Sequence, residues 1–174
     1  AVKKPHGKAP FAHILANRNF GTVLTENSLG FTFARNAGMR KLTPHTADGF
    51  REDIGERLIL RKYDASDRDQ FCDYDLCASA AWADFGFGYA CYYGWLDGLS
   101  YEVRVELVGL HDLKRISVAL SCSGGEISVR LAYTVLPCLG AMPSPAGFYC
   151  YQKEENGVRI RHAERQNFAA AVFT

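Results

Sequence analysis

Chemistry in this chain would come first from its carboxylates, which crowd two short stretches: Asp48, Glu52, Asp53 and Glu56, then Asp67, Asp69, Asp73 and Asp75. Hydrolysing a glycosidic bond takes a pair of such groups flanking one sugar. Carboxylates this close together on loop-like segments more often cap turns or face water, so no catalytic pair is expected of them. The five histidines, His6, His13, His45, His111 and His162, stand apart from one another, and none has a Cys, Asp or Glu at ligand spacing. No metal site follows from them. Phe85-Gly86-Phe87-Gly88-Tyr89 contains a G-x-G, but aromatics flank it and a strand-like run follows. A phosphate cradle needs a helix N-terminus after the glycines.

Two further residue classes leave choices open. Cys72, Cys77, Cys91, Cys122, Cys138 and Cys150 form no C-x-x-C pair; their even number permits three disulfides, while buried thiols suit a reducing cytoplasm. The aromatics Trp82, Phe85, Phe87, Tyr89, Tyr92, Tyr93 and Trp95 cluster. Sugar rings stack on such faces, which fits a lectin-like platform, and the same rings inside strands fit inter-sheet packing.

The elements that must position these groups are strands. Tyr101-Glu102-Val103-Arg104-Val105-Glu106-Leu107 puts its apolar residues on one face and its charges on the other, the pattern of a half-buried strand. Ile116 to Leu120, Ile127 to Val135 and Val158 to Arg161 repeat it. Asp97-Gly98, Ser123-Gly124-Gly125 and Asn156-Gly157 read as hairpin turns, and Asn27 to Gly30 is expected to turn an early hairpin. No amphipathic helix of three turns is apparent. Short strands separated by glycine turns predict an all-β fold of antiparallel sheets packed face to face. Two irregular stretches interrupt them, about Arg35 to Gly55 and Asp64 to Asp73. Function is expected in the first.

At 174 residues the chain is the size of one domain, and its net charge of +1 carries no basic stripe. Nucleic acid and membrane are therefore not expected as partners. Residues 1–10 read as a flexible leader and 11–174 as a single sandwich domain, with no signal-peptide core. The apolar run Ala169 to Thr174 looks like a strand cut short, as in a fragment of a larger enzyme.

Several segments, in order, resemble the N-terminal domain of the cellobiose phosphorylase family of inverting glycoside phosphorylases. Asn17-Arg18-Asn19-Phe20-Gly21-Thr22 is similar to an N-x-x-(F/Y)-G-T strand, and Gly30-Phe31-Thr32-Phe33 to the hairpin after it. Leu42-Thr43-Pro44 through Asp48 and Gly55-Glu56-Arg57 through Arg61 are similar to L-T-P-W-x-N-D and G-E-x-x-x-L-R. Phe87-Gly88-Tyr89 and Tyr133 to Gly140 complete the series. Within the family the look is closest to the 1,2-β-oligoglucan phosphorylase and cyclic β-1,2-glucan synthase branch. Two positions depart: His45 and Ala47 stand where the family has Trp and Asn.

The resemblance implies an antiparallel β-supersandwich, galactose-mutarotase-like and truncated here. It would be the non-catalytic first part of a cytoplasmic bacterial enzyme performing reversible phosphorolysis of β-glucan oligosaccharides. The general acid would lie in a helical (α/α)6 barrel of the same parent chain. Inorganic phosphate would be the co-substrate, with no cofactor, and the sandwich would pack on that barrel or across a homodimer. The loop holding Arg40, Thr43, His45, Asp48, Arg51 and Arg57 would lie near carbohydrate or phosphate. Its arginines could fork onto phosphate and sugar hydroxyls, with Asp48 accepting hydroxyl hydrogen bonds, or they could make salt links that steady an exposed loop. Two rivals remain. A stand-alone carbohydrate-binding module would use Trp82 or Trp95, and a structural dimerisation domain would ignore sugar.

Overall fold

The computed structural model describes residues 2–3, 11–45, 55–64, 66–67, 69–109, 111–165 and 172–173. Its strands are β1 (Val2–Lys3), β2 (Ala12–Ala16), β3 (Phe20–Thr25), β4 (Ser28–Ala34), β5 (Glu56–Tyr63), β6 (Phe71–Asp75) and β7 (Trp82–Gly86). There follow β8 (Tyr89–Leu96), β9 (Leu99–Leu107), β10 (Lys114–Cys122), β11 (Val129–Val135), β12 (Tyr149–Glu154), β13 (Gly157–His162) and β14 (Val172–Phe173). A single 3-10 turn, Ala146–Phe148, is the one helical element among the described residues. The fold is all-β and every strand pair is antiparallel.

Among the described residues four sheets form: β1-β7-β8-β9-β10, β11-β5-β6, β2-β3-β4 and β12-β13-β14. The first three share one core, in which Leu15, Leu24, Leu58, Leu60, Tyr92, Val103 and Val105 are buried together. Two tyrosines stitch the large sheet to its neighbours across that core. The Tyr92 hydroxyl donates to the Thr25 and Ser28 carbonyls at 2.7 and 3.1 Å, and that of Tyr101 to the Leu76 carbonyl at 2.9 Å. Lys41 forms a bridge with Phe33 on one side and with Gly140 on the other. The chain after β11 is thereby joined to the β2-β3-β4 sheet.

Asp97 and Gly98 turn β8 into β9 with φ of +35° and +81°, the left-handed pair that a two-residue primed turn demands. Three expectations are corrected. Ser123-Gly124-Gly125 does not close a hairpin: β10 pairs with β9 and β11 with β5, so the glycines carry the chain from one sheet to another. The early hairpin turns at Glu26 and Asn27; Ser28 already pairs with Thr25, and Gly30, at φ +57°, sits beside an irregularity in the strand register. The six cysteines carry thiols, but Cys72, Cys122 and Cys150 are exposed, so burial holds only for Cys77, Cys91 and Cys138. The β12-β13 hairpin is mostly exposed and seats only its base, Tyr149 and Ile160, against Leu139 and Leu42.

Glycines facing aromatics recur in register: Gly21 opposite Phe33, Gly86 opposite Tyr89, Gly94 opposite Tyr101. In each pair the ring lies over the glycine where a Cβ would stand. Tyr101 is held in place by its bond to Leu76 and cannot yield. Gly94→Ala is therefore expected to destabilise the fold by about 1–3 kcal/mol, as overpacking does, which a urea denaturation series would measure.

Candidate functional site

Alternation along β5 puts Glu56 in phase with Leu58 and Leu60, so a carboxylate points into the core. On β10, Lys114 is likewise in phase with Ile116 and Val118, which pack against that core. The two charges meet there. Lys114 Nζ stands 2.6 Å from Glu56 Oε2, with side-chain exposures of 6% and 1%.

Every polar valence of the pair is filled. Glu56 Oε1 accepts from the Thr32 hydroxyl at 2.5 Å and the Thr43 hydroxyl at 2.9 Å. Oε2 accepts from Lys114 and from the Tyr133 hydroxyl at 2.5 Å. The ammonium places its other two protons on Thr22 Oγ1 at 3.0 Å and the Leu29 carbonyl at 3.2 Å. Four acceptor sites and three donors are thus matched, the complement that a carboxylate and an ammonium possess. Burial pushes the Glu56 carboxyl up; the Lys114 charge, with hydrogen bonds from Lys114, Thr32 and Tyr133, outweighs burial and holds it below its ordinary range. Burial, then the Glu56 charge, drives the Tyr133 phenol up, so it stays a donor.

This centre closes the neck of the long loop. Thr43 precedes residues 46–54 and Glu56 follows them, and their side chains are bonded directly. The Leu42 and Thr43 amides both donate to the Thr32 carbonyl, Leu136 N donates to Gly55 O, and Cys138 N to Leu42 O. A Cβ on Gly55 would come within 2.9 Å of both the Pro44 carbonyl and Thr43, so the two sides of the neck touch.

The loop residues expected near ligand are divided among several places. Thr43 is buried in the neck. His45 stacks on Phe31, with ring centroids 4.4 Å apart and planes at 9°. Arg40 is exposed on the turn before the neck, where its amide donates to the Asn36 carbonyl. Arg57 is exposed on the face of β5 opposite Glu56. Asp48 and Arg51 lie outside the described residues.

Sequence reading missed Lys114, Tyr133, Thr22 and Thr32 as a group, although a signal was present. Lys114 and Glu56 are charges standing in phase with apolar strand faces, and a charge so placed needs a partner.

As chemistry, the centre is a clamp. Glu56 and Glu26 are both 1% exposed, so neither carboxyl can touch a glycosidic oxygen. Among the described residues no group of three or more His, Cys, Asp or Glu side chains could hold a metal ion, and no helix is long and apolar enough to cross a membrane.

Removing the charge of Glu56 strands Lys114 in the core. Glu56→Gln is expected to cost about 3–5 kcal/mol, and Glu56→Gln with Lys114→Met less than the sum of the two single changes. Because the folded carboxyl titrates below its ordinary value near 4.5, its stabilisation is complete above that pH and disappears as pH falls through the lowered value. Chemical denaturation of both chains between pH 7 and pH 3 should show a shallower acid decline for Glu56→Gln.

A family model described as Glycosyl hydrolase 94, supersandwich domain, matches residues 1–144. No curated protein matches the chain.

Proposed function

Since this chain belongs to the glycosyl hydrolase 94 supersandwich family, we propose that it is the non-catalytic, carbohydrate-handling N-terminal domain of a glycoside phosphorylase acting on β-glucan oligosaccharides. The 1,2-linked branch is our choice within the family, on the look of the segments around Asn17, Gly30 and Gly55.

The observation that carries this reading is the clamped neck. The chain on either side of residues 46–54 is tied together at Thr43 and Glu56, whose carboxylate has all its acceptor sites filled, which suits a fixed base beside a neighbouring sugar pocket. Arg40 and Arg57 stand exposed near the base and are suited to phosphate or sugar hydroxyls. The companion is a helical barrel of the same parent chain, which supplies the general acid, while inorganic phosphate attacks as co-substrate. Phe87, fully exposed at the tip of the β7-β8 turn, offers an anchor for such docking.

The reading frame beyond the codon for Thr174 gives the first check, since it should encode that barrel; a frame that closes at once overturns the proposal. In the longer protein, replacing residues 46–54 with a Gly/Ser segment of equal length should raise KM for oligosaccharide at least tenfold with the fold intact. Unchanged kinetics in that variant would show that the loop has no part in substrate handling. The 174-residue chain alone should release no sugar phosphate.

A further inference from the structure

The outward face of the five-stranded sheet is polar over most of its area. Glu106 pairs with Arg115 and, at 3.3 Å, with Arg104, and the Tyr89 hydroxyl donates to Asp84 at 3.3 Å. At one end the character changes. Register sets Trp82, Tyr93, Glu102 and Ala119 in one row across β7-β8-β9-β10, and Trp95, Ser100 and Ser121 in the next. Large rings therefore stand on β7 and β8 beside Ser100, Ala119 and Ser121, with Glu102 between, and the step forms a notch of about 380 Å³.

The wall of the notch is braced. The Trp82 ring sits 4.9 Å from Trp95 and 5.5 Å from Tyr93, tilted against both. Trp95 nevertheless leaves 59% of its surface to solvent. The floor is polar. Ser100 donates its hydroxyl proton to the Ser121 carbonyl at 3.3 Å and keeps its acceptor sites. The one hydrogen bond to Glu102 among the described residues comes from the Cys91 thiol, at 3.8 Å.

We propose that this notch is a glycan subsite in which a pyranose ring of a β-glucan stacks on Trp95 while its hydroxyls donate to Glu102 and Ser100. An equatorially substituted pyranose presents an apolar C–H face to a ring and polar hydroxyls at its rim, and the notch is lined by both an exposed indole and polar side chains. Its volume falls within the range of small-ligand pockets. Lys114 and Ser121 lie seven residues apart on β10, so the notch is about 23 Å along the strand from the Glu56 clamp. It would hold glycan apart from the loop. Only the ligand class rests on the function proposed above.

Titration of the 174-residue chain with β-1,2-glucan pentasaccharide, and with maltopentaose as control, followed by tryptophan fluorescence and saturation-transfer NMR, tests this. Millimolar binding of the β-glucan is expected, weakened at least tenfold by Trp95→Ala. Ser121→Trp, which fills the floor and leaves the wall intact, should weaken it equally. Each variant's melting temperature checks that the fold is retained. Absence of binding at 20 mM ligand, or binding unchanged in both variants, overturns the subsite. So does equal binding of both pentasaccharides, or shielding of Trp95 from iodide in the longer protein, where a companion domain would be covering it. Loss of the notch would leave the effect of the loop on KM standing. Binding that survives replacement of residues 46–54, with KM also unchanged, would sink the loop and keep the notch.

Discussion

A carboxylate and an ammonium shut away from water can persist only in each other's company. Taking each ion out of solvent costs several kcal/mol, and a bare contact rarely returns that amount. In this domain the deficit is met by saturation, since each proton of Lys114 and each lone pair of Glu56 has a partner. The partners come from β3, β4, the neck, β5, β10 and β11. β3 and β4 are already paired in one ladder and β5 and β11 in another, and the centre ties those two pairs to each other and to β10. Its geometry therefore fixes how three sheets sit together, which undirected hydrophobic contact alone would leave less defined.

The segments that carry the family resemblance acquire a physical meaning in this light. The G-T strand sends in Thr22, the hairpin Thr32, the L-T-P segment Thr43, the G-E segment Glu56, and the last segment Tyr133. What looks like a scattered signature is one assembly seen from several places along the chain. His45, one of the departures from the family pattern, lies flat on Phe31, the residue before Thr32. The exchange at that position thus stays in contact with the same assembly.

Strands were readable because period-two alternation is a local property. Tyr101 to Leu107 shows it without ambiguity, and β9 indeed alternates between buried and half-buried along most of its length. Pairing was less readable. Glycines at Ser123-Gly124-Gly125 announce that the backbone turns, but the choice of neighbour for β11 depends on contacts with β5, some seventy residues away. The aromatic notch was hidden for a related reason. Tyr92 and Tyr93 are adjacent and equally large, and only register against Val103 and Glu102 decides which ring goes inward. Lys114 and Glu56 could have been matched from phase alone, since each interrupts an otherwise apolar strand face.

The closed neck gives the long loop an independence that its length would not suggest. Thr43 and Glu56 are bonded side chain to side chain, so the anchorage at the neck is set by residues on either side of positions 46–54. Insertions, deletions or wholesale grafts in that interval should be tolerated, much as variable segments are exchanged on a conserved immunoglobulin frame. Exchange of that interval between relatives would leave the socket beneath it unchanged.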